Sequence, residues 1–167
     1  MKTNSIFLAS LFLLFFGTVT AAYAQTTIVR TITLVVNKAE VTRSNPSAAC
    51  YFEVSKGTTL LPNPSGSSKD FGFEALVNDS IVWEGKTTDG DYVKIKKIKY
   101  NKKVNNKTKI FKSDDLRGRL YNGREKVKGK IIKSTENLPD FIYDITFKIK
   151  GRGRSYTIDP KIKVGGQ

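Results

Sequence analysis

Residues 141–164, FIYDITFKIKGRGRSYTIDPKIKV, decide how the rest of the chain is read. Phe141, Tyr143, Ile145, Phe147 and Ile149 hold odd positions, and Asp144, Thr146, Lys148 and Lys150 hold even ones. That period of two is how a strand turns one face to a core and the other to water. Only Ile142 breaks it. Beyond Gly151-Arg152-Gly153, apolar residues recur at Tyr156, Ile158, Pro160, Ile162 and Val164, which predicts a second strand folded back along the first. A slip of one residue would bury Lys148 and Lys150 and expose Phe147 and Ile149. The register is therefore strongly specified, and the hairpin is a template for the rest of a sheet.

Upstream, the same reading yields a series of short strands. Thr26 to Asn37 is rich in β-branched residues, with Ile28, Ile32 and Leu34 on one parity. Lys38 to Ala48, with Asn45-Pro46-Ser47, reads as a loop, and Ala49 to Val54 as a strand. Leu60 to Asp70, with two prolines and a Gly-Ser cluster, reads as a loop exposed to proteolysis. Phe71, Phe73 and Ala75 alternate inward, and Ile81-Val82-Trp83 follows the turn Asn78-Asp79-Ser80. Tyr92 to Tyr100 changes parity midway, with Val93 and Ile95 odd but Ile98 and Tyr100 even, so a β-bulge at Lys96-Lys97 is expected to restore one apolar face. Ile110-Phe111 returns to the core, and Ser113 to Arg117 is expected to start one short helical turn capped by Ser113. Glu125 to Lys133 places Val127, Gly129 and Ile131 on one side and Lys126, Lys128 and Lys130 on the other. Seven to nine strands with almost no helix predict an all-β fold, an Ig-like or Greek-key β-sandwich.

Residues 1–24 read as a cleavable signal peptide: Lys2, an apolar run from Ile6 to Phe16, and Ala22-Tyr23-Ala24 before Gln25. The run is shorter than the ~20 residues that span a bilayer, so no transmembrane segment is expected in the mature chain. Residues 25–167 suit a single domain, periplasmic or secreted. Cys50 is the one cysteine and has no partner for an internal disulfide; beside Tyr51 and Phe52 it reads as a small buried apolar residue.

Lys and Arg number 29 against 15 Asp and Glu, a net charge of +14, of which Lys2 leaves with the leader. Residues 86–112 hold ten lysines against Asp89 and Asp91. Lys94, Lys96, Lys126, Lys128, Lys130, Lys148 and Lys150 occupy the polar parity of their strands, so strands sharing a sheet would gather them on one solvent face. An excess of this kind points to an anionic partner, an envelope polymer or a glycan, and export makes nucleic acid an improbable one. The same lysines also serve solubility and block edge pairing. The alternative function is a carbohydrate-binding module with Trp83, Tyr92 and Tyr100 as its stacking platform, although Trp83 taken alone reads first as a buried anchor between two sheets. A hydrolase stands third.

No histidine is present, which removes Ser-His-Asp and Cys-His catalysis and, with one cysteine, structural zinc and copper sites. Asp114-Asp115 are neighbours in an expected turn, and Glu84, Asp89 and Asp91 border a hairpin, a poor arrangement for paired carboxylate hydrolysis. Asp89-Gly90-Asp91, with Asp79 or Asp70, resembles calcium chemistry less than turn chemistry. No cofactor and no metal are expected. Asn78-Asp79-Ser80 and Asn106-Lys107-Thr108 match a glycosylation sequon.

Residues 73–83, Phe-Glu-Ala-Leu-Val-Asn-Asp-Ser-Ile-Val-Trp, resemble the strand–turn–strand of the inclusion body family of the AidA and PixA type, which ends in an apolar residue, any residue and Trp. Tyr143 to Phe147 followed by Tyr156-Thr157-Ile158-Asp159-Pro160-Lys161-Ile162 is similar as well. Asn78 stands where that family tends to have glycine. The resemblance covers about half of the mature chain; it implies a small β-sandwich and suggests stress-associated expression and sugar binding.

Overall fold

The computed structural model describes residues 27–63, 65–101 and 109–165, so the leader and the sequon at Asn106 lie outside the described residues. The strands are β1 (Val29–Val36), β2 (Cys50–Val54), β3 (Gly72–Leu76), β4 (Ser80–Thr87), β5 (Tyr92–Tyr100) and β6 (Asp115–Arg117). They continue with β7 (Arg119–Tyr121), β8 (Arg124–Lys130), β9 (Phe141–Ile149), β10 (Tyr156–Ile158) and β11 (Lys161–Gly165). The fold is all-β, as the alternation predicts. One hydrogen-bonded path, β2-β1-β4-β5-β9-β11-β3, runs through a curled sheet, with β6, β7, β8 and β10 paired off it.

The organising strand behaves as its parity requires. All five odd residues of β9 are buried, and so are Tyr156, Ile158, Pro160, Ile162 and Val164. The returning segment is nevertheless two strands. β10 pairs antiparallel with β9, Tyr156 opposite Phe147, and the chain then breaks at Asp159-Pro160. Proline has no N–H to donate to a ladder. β11 keeps Lys161 and Ile162 against Ile142 and Phe141 and runs parallel to β3 along its length.

The path curls because β4 and β5 stay together only at Gly85–Val93 and Lys86–Tyr92. The other half of β4 pairs with β8, and the far half of β5 pairs with β6. Gly118 sits in the fork, its N–H bonded to the Lys96 carbonyl at 2.8 Å, where an added Cβ would strike the Ile95 carbonyl. Across the interior the rings of Trp83, Tyr143, Phe111, Phe141 and Tyr100 form one connected set, with neighbouring centroids 5.4–6.2 Å apart. Three of these contacts are edge-on and the Tyr100–Phe141 contact is tilted, and such contacts add to the burial of large apolar area.

Several expectations are corrected. Eleven strands stand where seven to nine are expected among the described residues, because β6 and β7 are too short to show alternation and β10 and β11 divide at Pro160. Ser113 to Arg117 forms no helical turn: residues 115–117 are β6, drawn into the ladder opposite Lys97 to Lys99 of β5. Among the described residues helical geometry occurs instead in a 3-10 turn at Pro46–Ala49, at the end of the expected loop and taking in Ala49, the first residue of the expected strand. Ile28 lies outside β1 and is 46% exposed; Arg30 takes its place in the inward series, ion-paired with Asp79. The expected bulge is present, since Ile95 faces Phe147 while Lys97 faces Thr146, leaving Lys96 as the extra residue. Asn78 has a φ of 77°, a left-handed conformation that glycine adopts at least cost and asparagine tolerates.

Candidate functional site

The bulge sets the charge pattern of β5. Val93, Ile95, Ile98 and Tyr100 turn inward, while Lys94, Lys97 and Lys99 turn outward. On the outer face Lys94 stands opposite Lys148, Lys97 opposite both Thr146 and Arg117, and Lys99 opposite both Asp144 and Asp115. One end of this row is therefore compensated and the other is not. Around Lys99 two carboxylates are register neighbours; burial pushes the Asp144 carboxyl above its usual range, against the pull of Asn101, Lys99 and Lys97. At the opposite end Lys94, Lys148 and Lys150 form no ion pair with any described residue.

That uncompensated end opens into a cleft of about 470 Å³. Its walls are the start of β5 with Tyr92 and Lys94, the end of β9 with Lys150, and the β7–β8 hairpin with Arg124 and Glu125. The hairpin turns at Asn122-Gly123, both with positive φ (49° and 73°), the backbone of a two-residue type I′ turn. Leu120, 74% exposed, adds an apolar wall. Glu125 is held by Lys96 at 2.7 Å, so the bulged lysine neutralises the cleft's one carboxylate. The Tyr92 hydroxyl is buried and has no hydrogen-bond partner among the described residues. Burial, reinforced by Glu125 and opposed by Arg124, pushes its pKa up to about 12, so it stays a neutral donor at ordinary pH.

The seven lysines do not act alike. Lys96 is tied to Glu125, and Lys126 is ion-paired with Glu84. Lys128 lies over the Tyr121 ring, 4.2 Å from its centroid, and Lys130 is exposed at the end of β8. Parity puts all seven outside the core, but the fork between β4 and β5 divides them into a β8 group and a β5–β9 group. Lys97, Lys99, Arg117 and Arg124 belong to the basic surface and are missed by strand-by-strand parity. Applying the bulge to Lys97 and Lys99, and reading Asn122-Gly123 as a hairpin signal, would have found most of them.

The aromatic platform is overturned. Trp83 is 1% exposed and Tyr100 5%, because both belong to the inward series of their strands, leaving Tyr92 alone at the surface cleft. Three of the candidate acids are engaged elsewhere: Asp91 lies 3.5 Å from Lys38, Asp114 2.9 Å from Lys109, and Asp79 2.7 Å from Arg30. Asp89-Gly90-Asp91 closes a turn in which Gly90 N–H bonds Thr87 O at 2.9 Å and Asp91 N–H bonds Thr87 Oγ1 at 3.0 Å. Cys50 is buried, and burial pushes its thiol up to about 12, the mark of an unreactive packing residue. Among the described residues no helix is long and apolar enough to cross a membrane.

No protein-family model matches the chain, and no curated protein matches it.

Proposed function

We propose that the mature chain is an exported, non-enzymatic binding protein whose basic β5–β9 surface takes an anionic polymer or glycan of the cell envelope. The observation that carries this reading is Lys94 standing directly opposite Lys148 with no carboxylate among the described residues paired to either. Like charges opposed across strands destabilise a sheet, so a neutralising partner offsets a cost built into the fold. Lys150 at the end of β9, and Lys128 and Lys130 on β8, extend the positive surface. The apolar leader of residues 6–16, followed by Ala22-Tyr23-Ala24, supports export. The reading is tested by presenting the purified protein to an array of neutral glycans and polyanions at two salt concentrations. Retention of heparin-like or lipopolysaccharide ligands that fades as salt rises is expected. Salt-indifferent retention of neutral sugars would replace it with the carbohydrate-module reading.

A further inference from the structure

We propose that the cleft between the start of β5, the end of β9 and the Asn122-Gly123 turn seats one oxyanion group, a sulfate or phosphate carried on a saccharide. It rests on the polyanion reading and names the place and the chemistry of the grip. Lys94, Lys150 and Arg124 all line this hollow, and its one carboxylate, Glu125, is already held by Lys96. Arginine offers a planar fork of donors to such a group, and two lysines add point charges. The Tyr92 hydroxyl, buried and without a partner among the described residues, supplies a neutral donor to the hollow that its ring lines. Unmade hydrogen bonds of buried polar atoms are costly, so a ligand oxygen that accepts from it gains more than one met at an exposed hydroxyl. The exposed Leu120 suits the C–H face of a sugar ring, and about 470 Å³ lies within the range of small-ligand sites.

Two other hollows among the described residues lack this combination. One, lined by Arg30, Glu74 and Lys163, has its guanidinium bound to Asp79. Another, beside Lys128 and Lys130, is walled by Val29, Ile81 and Val82 and includes no unpartnered buried polar atom.

The test is calorimetric titration of the purified protein at low salt with a sulfated heparin disaccharide, with glucose 6-phosphate and with unsubstituted glucose. The two charged probes should bind and glucose should not, and the tighter of the two identifies the oxyanion. Tyr92→Phe should weaken the charged probes about tenfold, as loss of a hydrogen bond to a charged group does, while leaving unliganded stability equal or higher. Lys94→Gln with Lys150→Gln should weaken them at least as much, whereas Lys69→Gln, on an exposed turn that does not line the cleft, should not. Failure of both charged probes to bind, or affinities within about twofold of wild type in the Tyr92 and lysine variants, would overturn the cleft. If whole heparin still bound in that case, the polyanion reading would stand without this site. If the disaccharide bound through the cleft but heparin did not bind, the site would stand and the polymer reading would fall.

Discussion

The indole Nε1 of Trp83 donates a hydrogen bond to the hydroxyl of Tyr143 at 3.2 Å, with both side chains shut from solvent. The rings meet edge-on at 5.7 Å, which ties β4 to β9 across the core. Removing the acceptor while keeping the ring would leave a buried N–H unpaired. Tyr143→Phe should therefore cost about 1–3 kcal/mol in denaturant melts. The wild-type tryptophan should emit blue-shifted light and resist iodide; ready quenching in the native protein would contradict its place in the core.

Phe147 is fully buried on β9 and stacks on Tyr156 of β10 with centroids 5.4 Å apart. Truncation there removes a large apolar side chain at the point where the two strands are joined. Phe147→Ala should cost about 3–5 kcal/mol. A loss under about 1 kcal/mol by urea unfolding would place it outside the core, against the parity of the strand.

Arg30 and Asp79 form a buried pair, with Nε to Oδ2 at 2.7 Å. The Asp79 carboxylate also accepts from Leu76 N–H at 3.0 Å, and Arg30 donates to Gly57 O at 3.0 Å. Removing one partner strands the other charge. Asp79→Ala should cost about 3–5 kcal/mol, and the double change Arg30→Met with Asp79→Ala should recover part of that loss. A double variant that loses the sum of the single costs would show that the two charges do not depend on one another.

Alkali should weaken the fold through its phenols. Burial raises Tyr143 above its ordinary value and pushes Tyr92 up to about 12. The folded state thus holds protons that the unfolded chain releases near pH 10, so the stability from these groups is intact below about pH 10 and declines as pH rises toward 12. Thermal melts followed with phenolate absorbance should show this decline, and Tyr92→Phe should make it shallower. A melting temperature that is flat over this interval would contradict it.

Much of the fold was legible because one-sided burial imposes a period of two, which residues 141–149 carry with only Ile142 off it and residues 92–100 carry on each side of the bulge. Even the bulge could be read from the switch between Ile95 and Ile98, since an extra residue is the simplest way to keep both inside. Three-residue strands such as β6 and β7 carry too few positions to show a period; β6 takes its pairing from β5, well upstream in sequence, and β7 from β8 across the Asn122-Gly123 turn. The site was half legible for the same reason. Parity says that Lys94 and Lys148 face outward, but only register says that they face each other. The burial of Trp83 and Tyr100 follows from their strands' inward parity, which outweighs the general tendency of aromatics to mark binding surfaces.

The most direct test of the basic surface is heparin affinity across a range of salt, measured for wild type and for Lys94→Gln/Lys148→Gln/Lys150→Gln. The account predicts wild-type binding that weakens steeply as salt rises. In the triple variant it predicts roughly tenfold weaker binding, a shallower salt dependence and unchanged or higher stability, because an opposed like-charge pair has been removed. Affinity that ignores both salt and the three substitutions, or no binding at low salt, would contradict it and leave these lysines as residues of solubility.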